Sequence, residues 1–370
     1  MRLLTAFVPV ALVATALSAQ APGGPVDALD GLDPVLLVQG KEVPGKSALS
    51  AVHGGFTYLF STAENKLTFE RTPDKYAIQL GGLCARMGKA TGGNPSDFLV
   101  HGGKIYIFGS DECHKRFQAA PAKYLAPAAK PVPGGAAARA RGRTLLDDAA
   151  RAMGPRLESV STFTESYTQV QKRAQAELRF TTKTMWKYPD RVRQERRGEL
   201  EGKPLGSNVL LTPDGAWYIS LQGQAYPSPA AGLPSMHADF GRHPVALLKN
   251  RTRPGAIAVA EPPATVDGVN VQRVRVIDGA IDAIVNLDAA HRIHSVSYVD
   301  RSSEGVYGTF TVTYSDYRAV DGLTLPFSVR TVFDGQPYPQ QSWTVEAMAV
   351  NPTLDPSTFA PPSASTAGRN

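Results

Sequence analysis

The chain of 370 residues contains two cysteines, Cys84 and Cys113, and seven histidines. These are the side chains best suited to nucleophilic attack or to holding a soft metal. Cys113 follows Ser110 by three residues, in what the pattern makes the first turn of a helix, where the helix N-terminus favours a thiolate. His114 is adjacent, and His53 and His101 recur at equivalent places in a repeat. Thiolate with imidazole suits copper(I) or zinc, so Cys84, Cys113 and His114 are the candidate metal ligands. Against that set, neighbours on a helix point about 100° apart, and there is no Cys-x-x-Cys pair. The leading reading of an even cysteine pair in an exported chain is a Cys84–Cys113 disulfide, closing a loop of 29 residues for roughly 3 to 4 kcal/mol in the chain-entropy model, with the metal or redox set as the alternative. Two inert buried thiols are the third.

The element that positions these residues is written twice. His53–Tyr76 and His101–Tyr124 align without a gap at an offset of 48 residues, with ten of 24 positions identical. The identities are His53/His101, Gly54/Gly102, Gly55/Gly103, Tyr58/Tyr106, Phe60/Phe108, Glu64/Glu112, Phe69/Phe117, Pro73/Pro121, Lys75/Lys123 and Tyr76/Tyr124. Two copies are too few for a solenoid. Each reads as a Gly-Gly turn, a short Tyr-x-Phe strand, an N-cap at Thr62 or Ser110, and a helix carrying Phe69 or Phe117. On the plain reading, the shared residues are core and turn residues.

The pattern resembles the YHS-domain family, small hairpin-and-helix modules often found beside metal-handling proteins. Gly31-Leu32-Asp33-Pro34-Val35 is similar to the family's opening Asp-Pro-Val. Tyr106-Ile107-Phe108-Gly109-Ser110 with Cys113, Phe117, Pro121 and Tyr124 is similar to its aromatic–cysteine signature, and Gly81-Gly82-Leu83-Cys84-Ala85 to a phrase of a secreted subgroup. The chain departs from the family at Leu36 and Gly109, where cysteines are common, and at Ser61 and Asn65 in the first copy. The resemblance covers 28–126 and implies a small α+β module.

Met1-Arg2, an apolar run Leu3–Leu17 and the small residues up to Ala21 read as a secretory signal peptide over 1–21, cut after Ala21. No later apolar stretch reaches the roughly 18 residues of a membrane span. The expectation is a periplasmic or secreted protein. The formal net charge of +6 comes without a long Lys/Arg block or a nucleic-acid motif, so nucleic acid is not an expected partner.

Residues 127–142 are Ala/Pro/Gly-rich and read as a linker. A helix is expected over 143–153, with Leu145, Leu146, Ala149 and Met153 on one stripe, and another short one near 239–250. From 157 to 350 alternating segments, punctuated by Asp-Gly turns, predict nine or more strands. One or two helices cannot cover so many strands, so the expectation is a large antiparallel curved sheet, an unclosed half-barrel over 143–361, with a disordered tail at 362–370. A side-chain-filled barrel without a ligand is the plain alternative.

Helix first, then hairpins, with Lys187–Arg193, Asp316–Pro326 and Val350–Phe359 as marker phrases, resembles the LolA-like lipoprotein-carrier superfamily. That resemblance implies an unclosed barrel with a helical lid, holding an apolar or lipidated ligand, without nucleotide or metal. His291 and His294, three apart in a strand-like run, face opposite sides, and His237 and His243 flank a lid-like segment and are expected to be exposed. Arg191, Arg193 and Arg197 share one strand parity and form a basic stripe. No hydrolase, zinc-protease or phosphate-loop motif is present, so an enzyme is not expected. Three functions remain: a cell-envelope ligand-binding protein, an envelope metal or redox protein acting through the YHS-like module, and a structural interaction protein.

Overall fold

The computed structural model describes residues 25–362, apart from 89, 90, 133, 174, 175 and 201, and leaves the side chains of 171–177 undescribed. The expected leader at 1–21, and all but the first residue of the expected tail, lie outside the described residues.

The N-terminal part holds two hairpin–helix units. In the first, β1 (Lys46–His53) and β2 (Phe56–Phe60) precede α1 (Ala63–Arg71); in the second, β3 (Asn94–His101) and β4 (Lys104–Phe108) precede α2 (Asp111–Ala119). Each hairpin turns on two glycines in left-handed backbone, Gly54 and Gly55 at φ 59° and 85°, Gly102 and Gly103 at 58° and 70°. That is the conformation a two-residue hairpin turn demands. Each helix is N-capped as expected: Thr62 accepts from the Asn65 amide and Ser110 from the Cys113 amide. The register slips at the same place in both, between Lys46 and Ser50 and between Asn94 and Phe98.

The likeness extends in front of the hairpins, beyond what the 24-residue alignment covers. Gly31-Leu32-Asp33 lies in its unit as Gly82-Leu83-Cys84 does in the other. The Asp33 amide donates to Val43 O at 2.9 Å and the Cys84 amide to Thr91 O at 2.8 Å. Gly45 N bonds Gly31 O, and Gly93 N bonds Gly82 O, both at 2.8 Å. Leu37 N bonds Asp33 O at 2.9 Å, and Gly88 N bonds Cys84 O at 2.8 Å. The offset is 51 residues here and 48 within the hairpins, which is why a gapless alignment stops short.

The rest is one sheet. Its strands are β5 (Thr162–Arg173), β6 (Ala176–Lys187), β7 (Arg191–Leu200), β8 (Lys203–Thr212), β9 (Gly215–Ile219), β10 (Ala225–Pro227), β11 (Ile257–Val266), β12 (Val269–Asp278), β13 (Ile281–Leu287), β14 (Ile293–Arg301), β15 (Tyr307–Val320), β16 (Leu323–Phe333) and β17 (Trp343–Val350). Two meanders run β10 to β5 and β16 to β11, and the last strand, β17, joins them by pairing with both β5 and β16. A two-residue ribbon, Gln336–Pro337, lies on β16. The pairing is antiparallel throughout, and the edges β10 and β11 are not paired to each other, so the curved sheet is unclosed.

Two expectations shift. The helix α3 spans Ala136–Met153, starting seven residues inside the expected linker. Ala is the strongest helix former, and Gly142 is there because α3 presses on β11. A Cβ at 142 would lie 2.7 Å from the Ala258 carbonyl. The stripe Leu145, Leu146, Ala149 and Met153 is buried. The helix expected near 239–250 is two, α4 (Leu233–Gly241) and α5 (Pro244–Lys249). Pro244 opens α5 and holds His243 extended, at ψ 137°. One apolar cluster combines α3, α4 and α5 with inward residues of both meanders, such as Phe163, Trp186, Val274, Val285, Val296 and Leu325.

Candidate functional site

Between the sheet and the end of α4 lies a cavity of about 550 Å³. One wall is apolar and aromatic, built from Trp186, Phe240, Phe310, Val312, Val329 and Trp343. The alternation of β6, β15, β16 and β17 delivers the strand residues to one face, and α4 supplies Phe240.

The other wall is charged and paired. Glu165 on β5 is 4% exposed and accepts from the Trp343 indole N–H at 3.3 Å. His243 Nε2 lies 3.3 Å from the other Glu165 oxygen. The His243 ring packs against Phe163 and Trp186, at centroid distances of 5.5 and 4.8 Å. Next to it, Arg242 donates to Asp300 at 2.8 Å and stacks on the Tyr298 ring at 3.9 Å. Burial pushes the Arg242 guanidinium down, but Asp239 and Asp300 outweigh it and hold it above its usual value. Burial also pushes the Tyr298 hydroxyl up to about 12, and those of Tyr167 and Tyr314 higher, so all three stay protonated at neutral pH. A charge removed from water survives only when paired, and Arg242 is paired with Asp300, 58 residues further along the chain.

Sequence reasoning placed none of these pairs. His243, expected to be exposed, has a side chain only 14% exposed. The break between α4 and α5 turns Arg242 and His243 inward, and Pro244 was the signal for that break. His237 contacts Thr212 O at 3.1 Å. His291 sits in a turn at φ 59°, and His294 is the second residue of β14. The arginine stripe is partly spent within the fold: Arg193 bonds Glu195 and Thr358 O.

In the N-terminal part, Cys84 and Cys113 are two free, buried thiols within one cluster that includes Tyr106, Phe108, Phe117 and Tyr124. The expected disulfide is therefore not formed in this structure. Burial pushes the Cys84 thiol up; backbone N–H groups of Met87 and Gly109 pull it back, and the neighbouring Cys113 adds to the rise. Arg86 lies 3.8 Å from Cys113 Sγ through its guanidinium.

The structure does not bring His114 to the two thiols. Its ring stacks on Phe108 at 4.6 Å, and its Nδ1 lies 2.5 Å from Asp97. Among the described residues, no three His, Cys, Asp or Glu side chains gather to hold a metal. The neighbour of Cys113 Sγ is instead the Arg86 guanidinium, at 3.8 Å. His53 and His101 pack edge-on against Phe69 and Phe117, at 6.0 and 6.1 Å.

Neither a scan against protein-family models nor a search of curated proteins finds a match. Among solved structures the chain is similar to an outer membrane lipoprotein-sorting protein domain from Vibrio parahaemolyticus, at 14% identity, covering 60% of this chain and 97% of that one, with a TM-score of 0.39. It is also similar to a LolA superfamily protein from Nitrosomonas europaea, at 11% identity, with 60% and 97% coverage and a TM-score of 0.40. A DUF1329 family protein from Desulfovibrio piger matches at 11% identity, with 59% and 97% coverage and a TM-score of 0.39. At such identities and scores the likeness carries no weight for ligand or function.

Proposed function

We propose that this is an exported binding protein that holds an amphiphilic ligand, apolar or lipidated, in the cavity of its β domain. The observation that carries the reading is the two-sided lining: aromatic and aliphatic side chains face buried, paired charges across about 550 Å³. A pocket of that size, apolar on one side with a few placed polar groups, suits a chain bearing a polar end. The leader-like residues 1–21 support export. The N-terminal module, YHS-like by its motifs, serves as an accessory unit. It docks on the β domain through Arg301, which donates to Ala85 O and Arg86 O at 2.9 and 2.8 Å.

Two of the three tryptophans, Trp186 and Trp343, line the cavity, so intrinsic fluorescence reports occupancy. Delipidated protein titrated with fluorescent fatty acids and with lipopeptides should bind one class and change its tryptophan emission. Val329→Trp, which fills the cavity, should abolish the uptake. If the delipidated wild type takes up neither class, the reading is wrong.

A further inference from the structure

We infer that Cys84 and Cys113 form a thiol–disulfide switch whose state is passed to the cavity wall through residues 300–306. The part concerning ligand rests on the cavity being the ligand site.

By the duplication, Cys84 and Cys113 stand at the two positions whose counterparts touch in the first unit. Asp33 occupies in the first unit the place of Cys84 in the second, and Asn65 the place of Cys113. In the first unit those side chains touch, with Asn65 Nδ2 donating to Asp33 Oδ2 at 2.7 Å. The scaffold around them is the same by hydrogen bonds, caps and register slips. In the second unit both partners are thiols within one cluster, and closing the disulfide brings the two sulfurs to about 2.05 Å.

The segment in front of this pair carries the contact to the β domain. Arg86 reaches from beside Cys113 to Glu304 at 3.3 Å, and Arg116 of α2 reaches the same carboxylate at 3.6 Å. Gly305, at φ 79°, lies so close that a Cβ there would stand 2.1 Å from Arg86 O. The other side of the segment is cavity wall. Asp300 holds Arg242 at 2.8 Å, and Tyr338 bonds both Ser303 N and Ser303 Oγ, at 2.8 and 2.9 Å. One short stretch therefore touches the backbone of Ala85 and Arg86, next to Cys84, on one face and lines the cavity on the other.

Cys113, at 6% exposure, is more open than Cys84 at 0%, so oxidation enters there. With a disulfide oxidant such as oxidised glutathione, the Cys113 sulfur displaces one glutathione thiolate and forms a mixed disulfide. The Cys84 sulfur then attacks the Cys113 sulfur and releases the second glutathione. Two S–H bonds are lost, one S–S bond forms, and the two protons leave with the glutathiones. The closed disulfide stiffens residues 84–86, against which 301–305 rests.

The test compares the exported protein reduced with dithiothreitol and oxidised with oxidised glutathione. The oxidised form should be two hydrogens lighter, exchange amide hydrogens more slowly across 300–306, and release a dansyl-labelled fatty acid at least threefold more slowly. Cys113→Ser and Cys113→Asn, the latter copying the first unit, should show none of these responses. A chain that keeps both thiols in oxidised glutathione overturns the switch, as does retention of copper or zinc by the thiols. A disulfide that leaves exchange at 300–306 unchanged overturns the coupling. If exchange responds but neither form binds the probe, the ligand reading falls, and the transmission to ligand falls with it.

Discussion

The two hairpin–helix units share one frame and differ in what fills its centre. In the first, the Asp33 carboxylate accepts from Ser61 N at 2.8 Å, Ser61 Oγ at 2.7 Å and Asn65 Nδ2 at 2.7 Å. In the second, the corresponding residues are Cys84, Gly109 and Cys113, with an arginine beside the sulfur. In the first filling both carboxylate oxygens of Asp33 are hydrogen-bonded. The second has two oxidisable groups and sits against the β domain. Chemistry in this module therefore resides in the positions that differ between the copies, while the identical residues build the frame.

If the frames are equivalent, equal cuts should cost equally. Phe69 and Phe117 are 2% and 0% exposed and pack on Tyr58 at 4.8 Å and Tyr106 at 5.3 Å. Phe69→Ala and Phe117→Ala should each destabilise the module by about 3–5 kcal/mol, read by urea unfolding with a probe in this module. A difference above roughly 1.5 kcal/mol between them would break the equivalence.

The fillings should then respond differently. Asp33→Ala strands buried donors and should cost about 1–3 kcal/mol. Burial pushes the Asp33 carboxyl up, but hydrogen bonds from Asn65, Ser61 and Val35 outweigh it and hold it below its ordinary value. Its folded pKa is thus below the unfolded one, near ~3.9. The stabilisation is present above that unfolded value and lost as pH falls through the folded one. Asp33→Asn should flatten unfolding midpoints across that acid window, whereas Cys84→Ser should leave their pH dependence there unchanged.

How much of this was legible in sequence depended on the range of the signal. The Gly-Gly turns, the caps at Thr62 and Ser110, and the buried stripe of α3 are local, and residue type announced them. The equivalence of Asp33 with Cys84 was hidden by a change of offset ahead of the hairpins. Strand β11 has no clear strand signal in sequence, because Pro262 and Pro263 argue against one. It is an edge strand with a register slip between Glu261 and Ala264, where proline is tolerated. The cavity pairs join Glu165 to His243 and Arg242 to Asp300, partners that only the sheet order brings together, so no spacing rule could name them.

A smaller effect separates backbone strain from docking. Gly103 and Gly305 both hold positive φ, 70° and 79°, but only Gly305 faces another backbone. Alanine at either costs about 1–2 kcal/mol of left-handed strain. Gly305→Ala should cost measurably more than Gly103→Ala, and should speed hydrogen exchange at residues 84–88. Equal losses with unchanged exchange would mean that the Gly305–Arg86 contact is not holding the two parts together.

The smallest effect bears most directly on what the repeated histidines do. His53 meets Phe69 with rings 86° apart, and His101 meets Phe117 at 89°, edge-to-face contacts of the kind worth about 0.5–1.5 kcal/mol. Both histidines lie at hairpin ends, where part of that energy is lost to water. His53→Ala and His101→Ala should therefore cost a similar fraction of a kcal/mol, on the order of 0.5. His53 has an additional neighbour, Asp74, at 3.8 Å, but that carboxylate is fully exposed and adds nothing countable. Neither substitution should alter the copper or zinc content of protein purified without chelators. A metal lost with His101 but kept with His53 would show that the second copy turns its histidine to a different use from the first.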